Sequence, residues 1–182
     1  MTRALLYGGS FDPPHNGHIF VPLCAMEYLN FDSVLYMPAF QSPLKKSKPT
    51  AENHRLAMLR LALADSHWAT ISTLELERGG MSYTIDTIEA LRDEYDEIRL
   101  LVGADQWEQF NKWHRWEDII AIANPAIMPR EGTLLQDERV LPITPLLSAS
   151  TTIRDRIKHS KSIENLMPLE VTQYIAQNQL YV

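Results

Sequence analysis

The stretch GGSFDPPHNGH, residues 8–18, connects a predicted buried strand, Arg3–Tyr7, to a predicted helix that covers about Gly17–Leu29. In open parallel sheets, ligands bind at the carboxyl ends of the strands, which is where this stretch begins. The helix that follows offers free N–H groups and the positive end of its dipole to an anion. The glycines that would let the backbone approach such a ligand closely are Gly8, Gly9 and Gly17.

Two histidines in the same stretch indicate the chemistry of the ligand. His15 and His18 are three residues apart, so a first helical turn places them on neighbouring faces where they can converge. The pair predicts a phosphate site, although the stretch lacks the Gly-Lys-Ser/Thr ending of the Walker motif. A metal site that combines the histidines with Asp12 and a tight turn without a ligand both remain open from the residues alone.

Downstream of this stretch, short apolar strands alternate with amphipathic helices, which is typical of an α/β fold. We predict a Rossmann-like, mainly parallel sheet with helices on both faces, built by residues 1–182 as a single domain with a loop at residues 40–50. The further predicted strands are Ser33–Met37, Ala69–Leu74, Ile98–Val102, Ile127–Pro129 and Val140–Ile143. A further predicted helix is capped by Thr50 and has Leu56, Leu59 and Leu63 on one face. Another is capped by Thr84 and runs through Tyr95, and helical turns follow between Asp105 and Ala123. Two C-terminal helices are predicted at Thr151–His159 and Pro168–Asn178, with Pro168 at the first helical position.

Composition excludes several classes of protein. The 182 residues include 17 Lys and Arg against 23 Asp and Glu, a net charge of −6, which argues against general nucleic-acid binding. The single cysteine, Cys24, excludes an intramolecular disulfide framework and a Cys-rich zinc site, and fits a reducing compartment. The longest apolar run, Ile119–Ala123, is far too short to span a membrane, and the apolar stretch before Gly8 is too short for a signal peptide. We therefore expect a cytoplasmic protein without nucleic-acid or membrane partners; a homo-oligomer remains open.

At residues 8–18 the chain resembles the HxGH nucleotidylyltransferase superfamily, and more closely the bacterial nicotinate-nucleotide adenylyltransferases. The resemblance covers nearly the whole chain, and its further matching segments are ERGGMSYT at 77–84, GAD at 103–105, Trp113, REG at 130–132 and STTIR at 150–154. It implies a nucleotidylyltransferase fold and a step of NAD biosynthesis. In that step the phosphate of nicotinate mononucleotide, a pyridine mononucleotide, attacks the α-phosphorus of ATP, and nicotinate adenine dinucleotide and pyrophosphate are formed. Mg²⁺ is expected with the ATP.

The resemblance also implies roles for individual residues. The catalytic residues would be His15, His18 and Arg154. The ATP-binding residues would be Gly8, Gly9, Ser10, Phe11, Gly17, Lys45, Gly103, Asp105, Arg130, Ser150 and Thr151. The pyridine nucleotide would contact Ser82, Tyr83, Thr84, Trp113 and His114, with Trp113 stacked on the ring. No residue is predicted as a dedicated metal ligand; for Asp12 we favour orienting the loop over helping to hold Mg²⁺.

The sequence itself gives reasons for some of these roles. Arg154 follows a run of small hydroxyl residues that can cap a helix, and we expect it in the first turn, where a cation is unfavourable unless it faces an anion. Asp105 follows a strand-end glycine and could cap the next helix. For Arg130, contact with the adenine end and a surface ion pair both remain open.

Some positions depart from the pattern of the family. They are Ala39 where Asn is common, Leu44 where His is frequent, Met81 and Glu131 where Pro is frequent, His114 where an aromatic residue such as Tyr often follows the Trp, and Ala149 where Ser is common. None of them is His15, His18 or Arg154, so adenylyl transfer remains the expected chemistry. Ala39 and His114 leave the acceptor open to nicotinamide mononucleotide. Phosphopantetheine as the acceptor and a non-catalytic nucleotide sensor also remain open.

Overall fold

A parallel β-sheet organises the chain. The computed structural model describes residues 2–44, 48–130, 132, 135–146 and 149–182. Its strands are β1 (Arg3–Gly9), β2 (Ser33–Pro38), β3 (Ala69–Ile71), β4 (Glu97–Gly103) and β5 (Ala126–Met128). All neighbouring pairs are parallel, in the order β3-β2-β1-β4-β5. The predicted Rossmann-like parallel sheet is confirmed.

Helices connect the strands and extend the chain beyond them. They are α1 (Asn16–Leu29), α2 (Glu52–Ala62), α3 (Leu74–Arg78), α4 (Thr84–Leu91), α5 (Ala104–Trp107), α6 (Trp116–Ala123), α7 (Ser150–Lys158) and α8 (Leu169–Gln177), with a 3₁₀ turn at Phe110–Lys112. Among the described residues, no helix is long and apolar enough to cross a membrane.

Both faces of the sheet are covered, because side chains of a strand alternate between its two faces. Leu5 of β1 packs in a cluster with Val21 of α1 and Leu59 of α2. Its neighbour Leu6 belongs to a different cluster, which contains Ile88 of α4 and residues of α6. This arrangement confirms helices on both faces and explains why the successive residues Ala4, Leu5 and Leu6 of β1 are all apolar and buried.

A further apolar cluster attaches the C-terminal part of the chain to α2. Met58 of α2 packs with Ile153 of α7 and with Val171 and Ile175 of α8, all of them buried. The backbone N–H of Asn16, at the start of α1, also donates to the carbonyl of Leu166 at 3.0 Å. The helices α7 and α8 are therefore held beside the loop that follows β1.

The strand order fixes where a ligand can bind. From β1 the chain adds β2 and then β3 on one side of this strand, and it then adds β4 and β5 on the other side. The direction in which strands are added therefore reverses between β1 and β4. A crevice opens at such a switch point, outside the carboxyl ends of the strands. Here those ends are Gly9 of β1 and Gly103 of β4.

Two strand predictions were too long. The predicted strand Ala69–Leu74 ends at Ile71, and Leu74 instead begins α3, a short helix that was not predicted from the sequence. The predicted strand Val140–Ile143 is reduced to one bridge between Val140 and Ile127. Both segments lie at sheet edges, where one neighbouring strand supplies hydrogen bonds and the apolar pattern overstates the strand.

The predicted helix caps were also displaced by one residue. Ala51 is the N-cap of α2, and the backbone N–H of Thr50 donates instead to the carboxylate of Asp12 at 3.2 Å. Tyr83 precedes α4, which ends at Leu91 rather than at Tyr95. Pro168 is the N-cap of α8 and not its first residue. In none of these three helices does the N-cap side chain bond the helix, so tertiary contacts set where they begin.

A buried arginine joins the loops at the ligand end of the sheet. Arg55 of α2 is 1% exposed. Its Nε donates to the carbonyl of Thr50 at 2.8 Å, Nη1 to that of Ser10 at 2.8 Å, and Nη2 to that of Phe40 at 3.3 Å. Burial lowers the pKa of the guanidinium, while the carboxylates of Asp12 and Glu52 oppose that shift. One side chain thus joins the loop after β1 to both ends of the loop between β2 and α2.

We expect Arg55→Ala to lower the free energy of unfolding by about 3 kcal/mol or more, because it leaves three carbonyls without their donor at roughly 1–3 kcal/mol for each one that stays buried. Arg55→Lys should recover only part of this loss, since an ammonium cannot reproduce the planar fork of a guanidinium. Urea denaturation measures the change. The matched control is Arg60→Ala, on the exposed face of the same helix, with an expected loss below about 1 kcal/mol. Equal losses for both alanine variants would contradict this account of Arg55.

Candidate active site

A cavity of about 1070 Å³ opens at the carboxyl ends of the strands. The residues with predicted site roles that line it are Gly8, Gly9, Ser10, Phe11, His15, Gly17, His18, Ser82, Tyr83, Thr84, Gly103, Asp105, Trp113, His114, Arg130, Ser150, Thr151 and Arg154. Lys45, also predicted to bind ATP, lies outside the described residues. Segments distant in sequence therefore meet at one site, while the roles of their residues stay predictions.

The glycines of the site serve different purposes. A Cβ on Gly8 would meet none of the described atoms within 4 Å, so this glycine leaves open space at the cavity wall. A Cβ on Gly9 would lie 3.0 Å from the ring of Phe11, and one on Gly103 would lie 2.8 Å from a carboxylate oxygen of Asp105. Gly9 and Gly103 thus make room for neighbouring side chains of the protein, whereas Gly9 was expected from the sequence to make room for a ligand.

His15 and His18 interlock at the start of α1. The backbone N–H of His15 donates to Nδ1 of His18 at 3.2 Å, and the ring of His15 lies in a reciprocal capping box with the backbone N–H of His18. The two rings stack with their centroids 3.7 Å apart. Because Nδ1 of His18 accepts a hydrogen bond, the proton of its neutral ring is on Nε2. The spacing of three residues therefore fixes the tautomer of His18 as well as its position.

The environment of His15 keeps its ring neutral. The side chain is buried, and burial together with the positive charge of Arg130 lowers its pKa to about 4. A neutral imidazole can donate one hydrogen bond and accept another. Near pH 7 the ring of His15 is therefore a hydrogen-bonding group without a full positive charge.

The guanidinium of Arg154, a predicted catalytic residue, contacts the loop after β1. Arg154 is the fifth residue of α7, so it lies just past the first turn in which it was expected. Its Nη1 donates to the carbonyl of Asp12 at 2.6 Å, and Ser150 Oγ donates to the carbonyl of Pro13 at 2.8 Å. Both contacts hold α7 against the stretch that carries the two histidines.

Asp105 and Arg130 form an ion pair at the cavity wall. Arg130 Nη1 lies 2.6 Å from Asp105 Oδ2, and both side chains are more than two-fifths exposed. The surface ion pair considered for Arg130 is thus present. The expected cap by Asp105 is wrong, because α5 begins at Ala104 and its N-cap is Gly103. An exposed pair of this kind is worth about 0–1 kcal/mol, so a ligand can replace it at little cost.

The carboxylate of Asp12 is already engaged by the protein. Oδ1 accepts from the hydroxyl of Tyr181 at 2.6 Å, and Oδ2 accepts from the backbone N–H of Thr50 at 3.2 Å. Within the described ranges, no three Asp, Glu, His or Cys side chains gather closely enough to hold a metal ion. Asp12 therefore has the contacts of a residue that orients the loop.

The opposite end of the cavity surrounds the start of α4. Ser82 Oγ accepts from the backbone N–H of Phe40 at 3.0 Å. Behind it lies the buried carboxyl of Glu75, which accepts from Thr87 Oγ1 at 2.6 Å. Burial raises the pKa of Glu75, opposed by hydrogen bonds from Thr87 and Ser82. The hydrogen bonds from Thr87 and Ser82 hold the carboxyl of Glu75 in place behind the start of α4.

Aromatic rings complete that end of the cavity. His114 lies 5.0 Å from the ring of Tyr83, and Trp113 lies 4.9 Å from Phe110, measured between ring centroids. Nε1 of Trp113 is buried and has no hydrogen-bond partner among the described residues. Flat aromatic surfaces are suited to a planar base or pyridine ring.

Two further tryptophans have a structural role. Trp107 and Trp116 pack against the core cluster that contains Leu6 and Ile88.

Three polar residues that shape the site were not predicted from the sequence: Arg55, Glu75 and Tyr181. A signal existed for Arg55, because the buried face of α2 consists of Arg55, Met58, Leu59 and Ala62, a helical spacing that includes the arginine. The predicted face of Leu56, Leu59 and Leu63 was wrong at Leu56, which is only half-buried. For Glu75 and Tyr181 we find no signal in the sequence.

Comparisons with known proteins agree with this geometry. A family model described as cytidylyltransferase-like matches residues 6–169. The chain is 37% identical over 194 residues to a "probable nicotinate-nucleotide adenylyltransferase" of Gemmatimonas aurantiaca, covering 98% of this chain and 92% of that one. It is 35% identical to a protein of the same name from Herpetosiphon aurantiacus, with both chains fully covered.

A solved structure shares the fold. It is the Plasmodium falciparum nicotinic acid mononucleotide adenylyltransferase complexed with NaAD, which has a TM-score of 0.82, is 16% identical, and is matched over 100% of this chain and 98% of that one. The resemblance inferred from the motifs is confirmed: the chain belongs to the cytidylyltransferase-like family and, within it, to the nicotinate-nucleotide adenylyltransferase family.

Proposed function

We propose that the protein transfers the adenylyl group of ATP to nicotinate mononucleotide, giving nicotinate adenine dinucleotide and pyrophosphate in NAD biosynthesis. The observation that carries the proposal is the meeting of His15, His18 and Arg154 with the start of α4 around one cavity. Its volume of about 1070 Å³ lies just above the usual size of ligand pockets, roughly 300–1,000 Å³, which is appropriate for two nucleotides. The named relatives support the same activity.

The reaction needs positioning and charge neutralisation more than covalent help from the protein. A phosphate oxygen of the mononucleotide forms a bond to the α-phosphorus while the bond to pyrophosphate breaks, in line with the attack. His18 would donate its Nε2–H to the α-phosphate as negative charge develops there. Arg154 would keep its Nη1 contact with the Asp12 carbonyl and offer its remaining N–H donors to the departing pyrophosphate. No protein nucleophile takes part.

We propose that Mg²⁺ enters with ATP and is held mainly by phosphate oxygens and water. The described residues fit this arrangement, because both carboxylate oxygens of Asp12 are engaged and Asp105 is paired with Arg130. Magnesium usually keeps several water ligands and binds through substrate phosphates in such sites. When bound, it neutralises phosphate charge that His18 and Arg154 leave uncompensated.

The pyridine nucleotide would bind at the start of α4. The positive end of this helix favours a carboxylate over an uncharged carboxamide. Ser82, Tyr83 and Thr84 surround that end, and His114 lies against Tyr83.

We also propose that residues 1–182 act as one nucleotidylyltransferase domain in the cytoplasm. The exposed thiol of Cys24 is consistent with a reducing compartment.

Pyrophosphate release with ATP and Mg²⁺ should be at least about tenfold faster, in kcat/KM, for nicotinate mononucleotide than for nicotinamide mononucleotide. A tenfold preference corresponds to about 1.4 kcal/mol, the scale of one favourable charge at a helix end. Preference for the amide would overturn the acceptor and leave adenylyl transfer standing. Pyrophosphate release with phosphopantetheine but with neither pyridine mononucleotide would assign the protein to another acceptor class. Binding of ATP without pyrophosphate release would favour the non-catalytic nucleotide sensor.

His18→Ala should lower kcat by about 10²–10³-fold, the usual effect of removing one preorganised donor, while ATP still binds. His18→Gln should retain more activity, because its amide can place an N–H near the position of Nε2. The control is His159→Ala. This exposed histidine lies directly after α7, and its ring contacts Asp155 of that helix. Wild-type turnover by His18→Ala would count against this mechanism.

The neutral state of His15 makes the stability of the protein pH-dependent. Its folded pKa of about 4 lies below the unfolded value of 6.5, so the unfolded chain binds the proton more tightly. The stabilisation is complete above pH 6.5 and is lost as the pH falls toward 4. Between pH 7 and pH 5 the loss due to His15 is on the order of 2 kcal/mol.

His15→Gln should therefore lose less stability than the wild type over that pH interval, by this amount. Urea denaturation of the ligand-free proteins at pH 7, 6 and 5 measures the difference. Parallel pH profiles for the two proteins would show that His15 is not held neutral by the fold.

A further inference from the structure

A tyrosine that follows α8 contacts the loop that carries the two histidines. The hydroxyl of Tyr181 donates to Oδ1 of Asp12 at 2.6 Å, across 169 positions of sequence. The other carboxylate oxygen accepts from the backbone N–H of Thr50. The carboxylate of Asp12 is thus held from two sides, by the C-terminal segment and by the residue before the N-cap of α2.

The backbone of Asp12 carries a second contact, to Arg154. Nη1 of that arginine donates to the Asp12 carbonyl at 2.6 Å. A shift of Asp12 moves its carbonyl along with its carboxylate, so the hydroxyl of Tyr181 and the guanidinium of Arg154 are coupled through one residue. Arg154 and Asp12 line the cavity, whereas Tyr181 stands behind Asp12 and outside the lining.

The fold holds Tyr181 in place independently of any ligand. Val171 and Ile175 bury α8 against the cluster that also contains Met58 of α2, and Tyr181 packs against the same cluster. The backbone N–H of Leu180 returns to the carbonyl of Ile175 at 3.1 Å, which turns the residues after α8 back toward Asp12. The hydroxyl therefore occupies a defined position.

The environment of the Tyr181 hydroxyl keeps it protonated, so that it always donates a hydrogen bond. Burial and the hydrogen bond to Asp12 raise the pKa of Tyr181 far above its ordinary value of 10.0. The charged and polar groups that face it include Asp12, Thr50, Arg154 and the guanidinium of Arg55. Tyr181 thus stays protonated at any pH at which the enzyme would work, and its role is positional.

We propose that Tyr181 is a positioning residue for adenylyl transfer, which acts through Asp12 to set the orientation of Arg154 toward the phosphates. This inference rests on the proposed function for its effect on turnover, but its geometry also predicts an effect on anion binding alone. Small displacements at a reacting centre have large effects on rate, since about 1 Å can cost 10²-fold.

The test compares Tyr181→Phe with Tyr174→Phe. Tyr174 is a matched control, because it is also half-buried, lies in α8, and its hydroxyl contacts His54 Nδ1 at 2.9 Å, away from Asp12. We expect Tyr181→Phe to lower kcat about tenfold and to weaken pyrophosphate binding severalfold, as measured by calorimetry. Tyr174→Phe should leave both values within about twofold of the wild type.

A double-mutant cycle separates positioning from general loss of structure. If Tyr181 acts through Arg154, the double variant Tyr181→Phe/Arg154→Ala should be no slower than Arg154→Ala alone. Fully additive losses in kcat and pyrophosphate affinity would overturn the proposal. Wild-type kcat and wild-type pyrophosphate affinity in Tyr181→Phe would overturn it as well.

The two proposals fail in different ways. If the wild type turns over no pyridine nucleotide, the proposed function fails, and the pyrophosphate affinities of Tyr181→Phe, Arg154→Ala and the double variant still decide the role of Tyr181. If the wild type is active but the losses caused by Tyr181→Phe and Arg154→Ala are fully additive, the positioning role fails and the proposed function stands.

Discussion

The buried guanidinium of Arg55 is the interaction on which the ligand end of the sheet depends. It donates to carbonyl oxygens of Ser10, Phe40 and Thr50, which lie in loops where no helix or strand satisfies them. A buried carbonyl without a partner costs roughly 1–3 kcal/mol, so an apolar side chain could not hold these loops together. The nearby carboxylates of Asp12 and Glu52 offset part of the cost of burying the charge. The loop after β1 can therefore keep one shape without regular secondary structure.

Residues distant in sequence also form hydrogen bonds to that loop and to the start of α1. Ser150 donates to the carbonyl of Pro13, Asn16 Nδ2 donates to the carbonyl of Asn165 at 2.8 Å, and Tyr181 donates to Asp12. These bonds link α7, α8 and their flanking loops to the first helix. The two histidines and Arg154 consequently hold their relative positions before a nucleotide arrives, which is the preorganisation that phosphoryl-group chemistry needs.

Local sequence patterns were sufficient where one interaction dominates. Glycine and proline mark the strand ends, and the apolar pattern reveals β1, β2 and β4 together with α1, α2 and α4. Patterns failed where several weak preferences compete. Thr50 is a good N-cap by type, yet its N–H is used by Asp12, and Ala51 takes the cap. Leu74 continues an apolar strand by type, yet the edge strand ends at Ile71 and a helix begins.

The sequence by itself determined the class of fold, the family and 18 of the residues that line the cavity, because glycines, histidines and the STTIR segment mark the strand ends and helix starts where a ligand binds in a parallel sheet. Only the tertiary structure decided how those residues are held. The tautomer of His18 follows from its contact with the backbone of His15, and the neutral state of His15 follows from burial near Arg130. The contacts of Arg55, Glu75 and Tyr181 join residues far apart in the chain. Such contacts depend on distances in space, and a linear pattern carries no information about them.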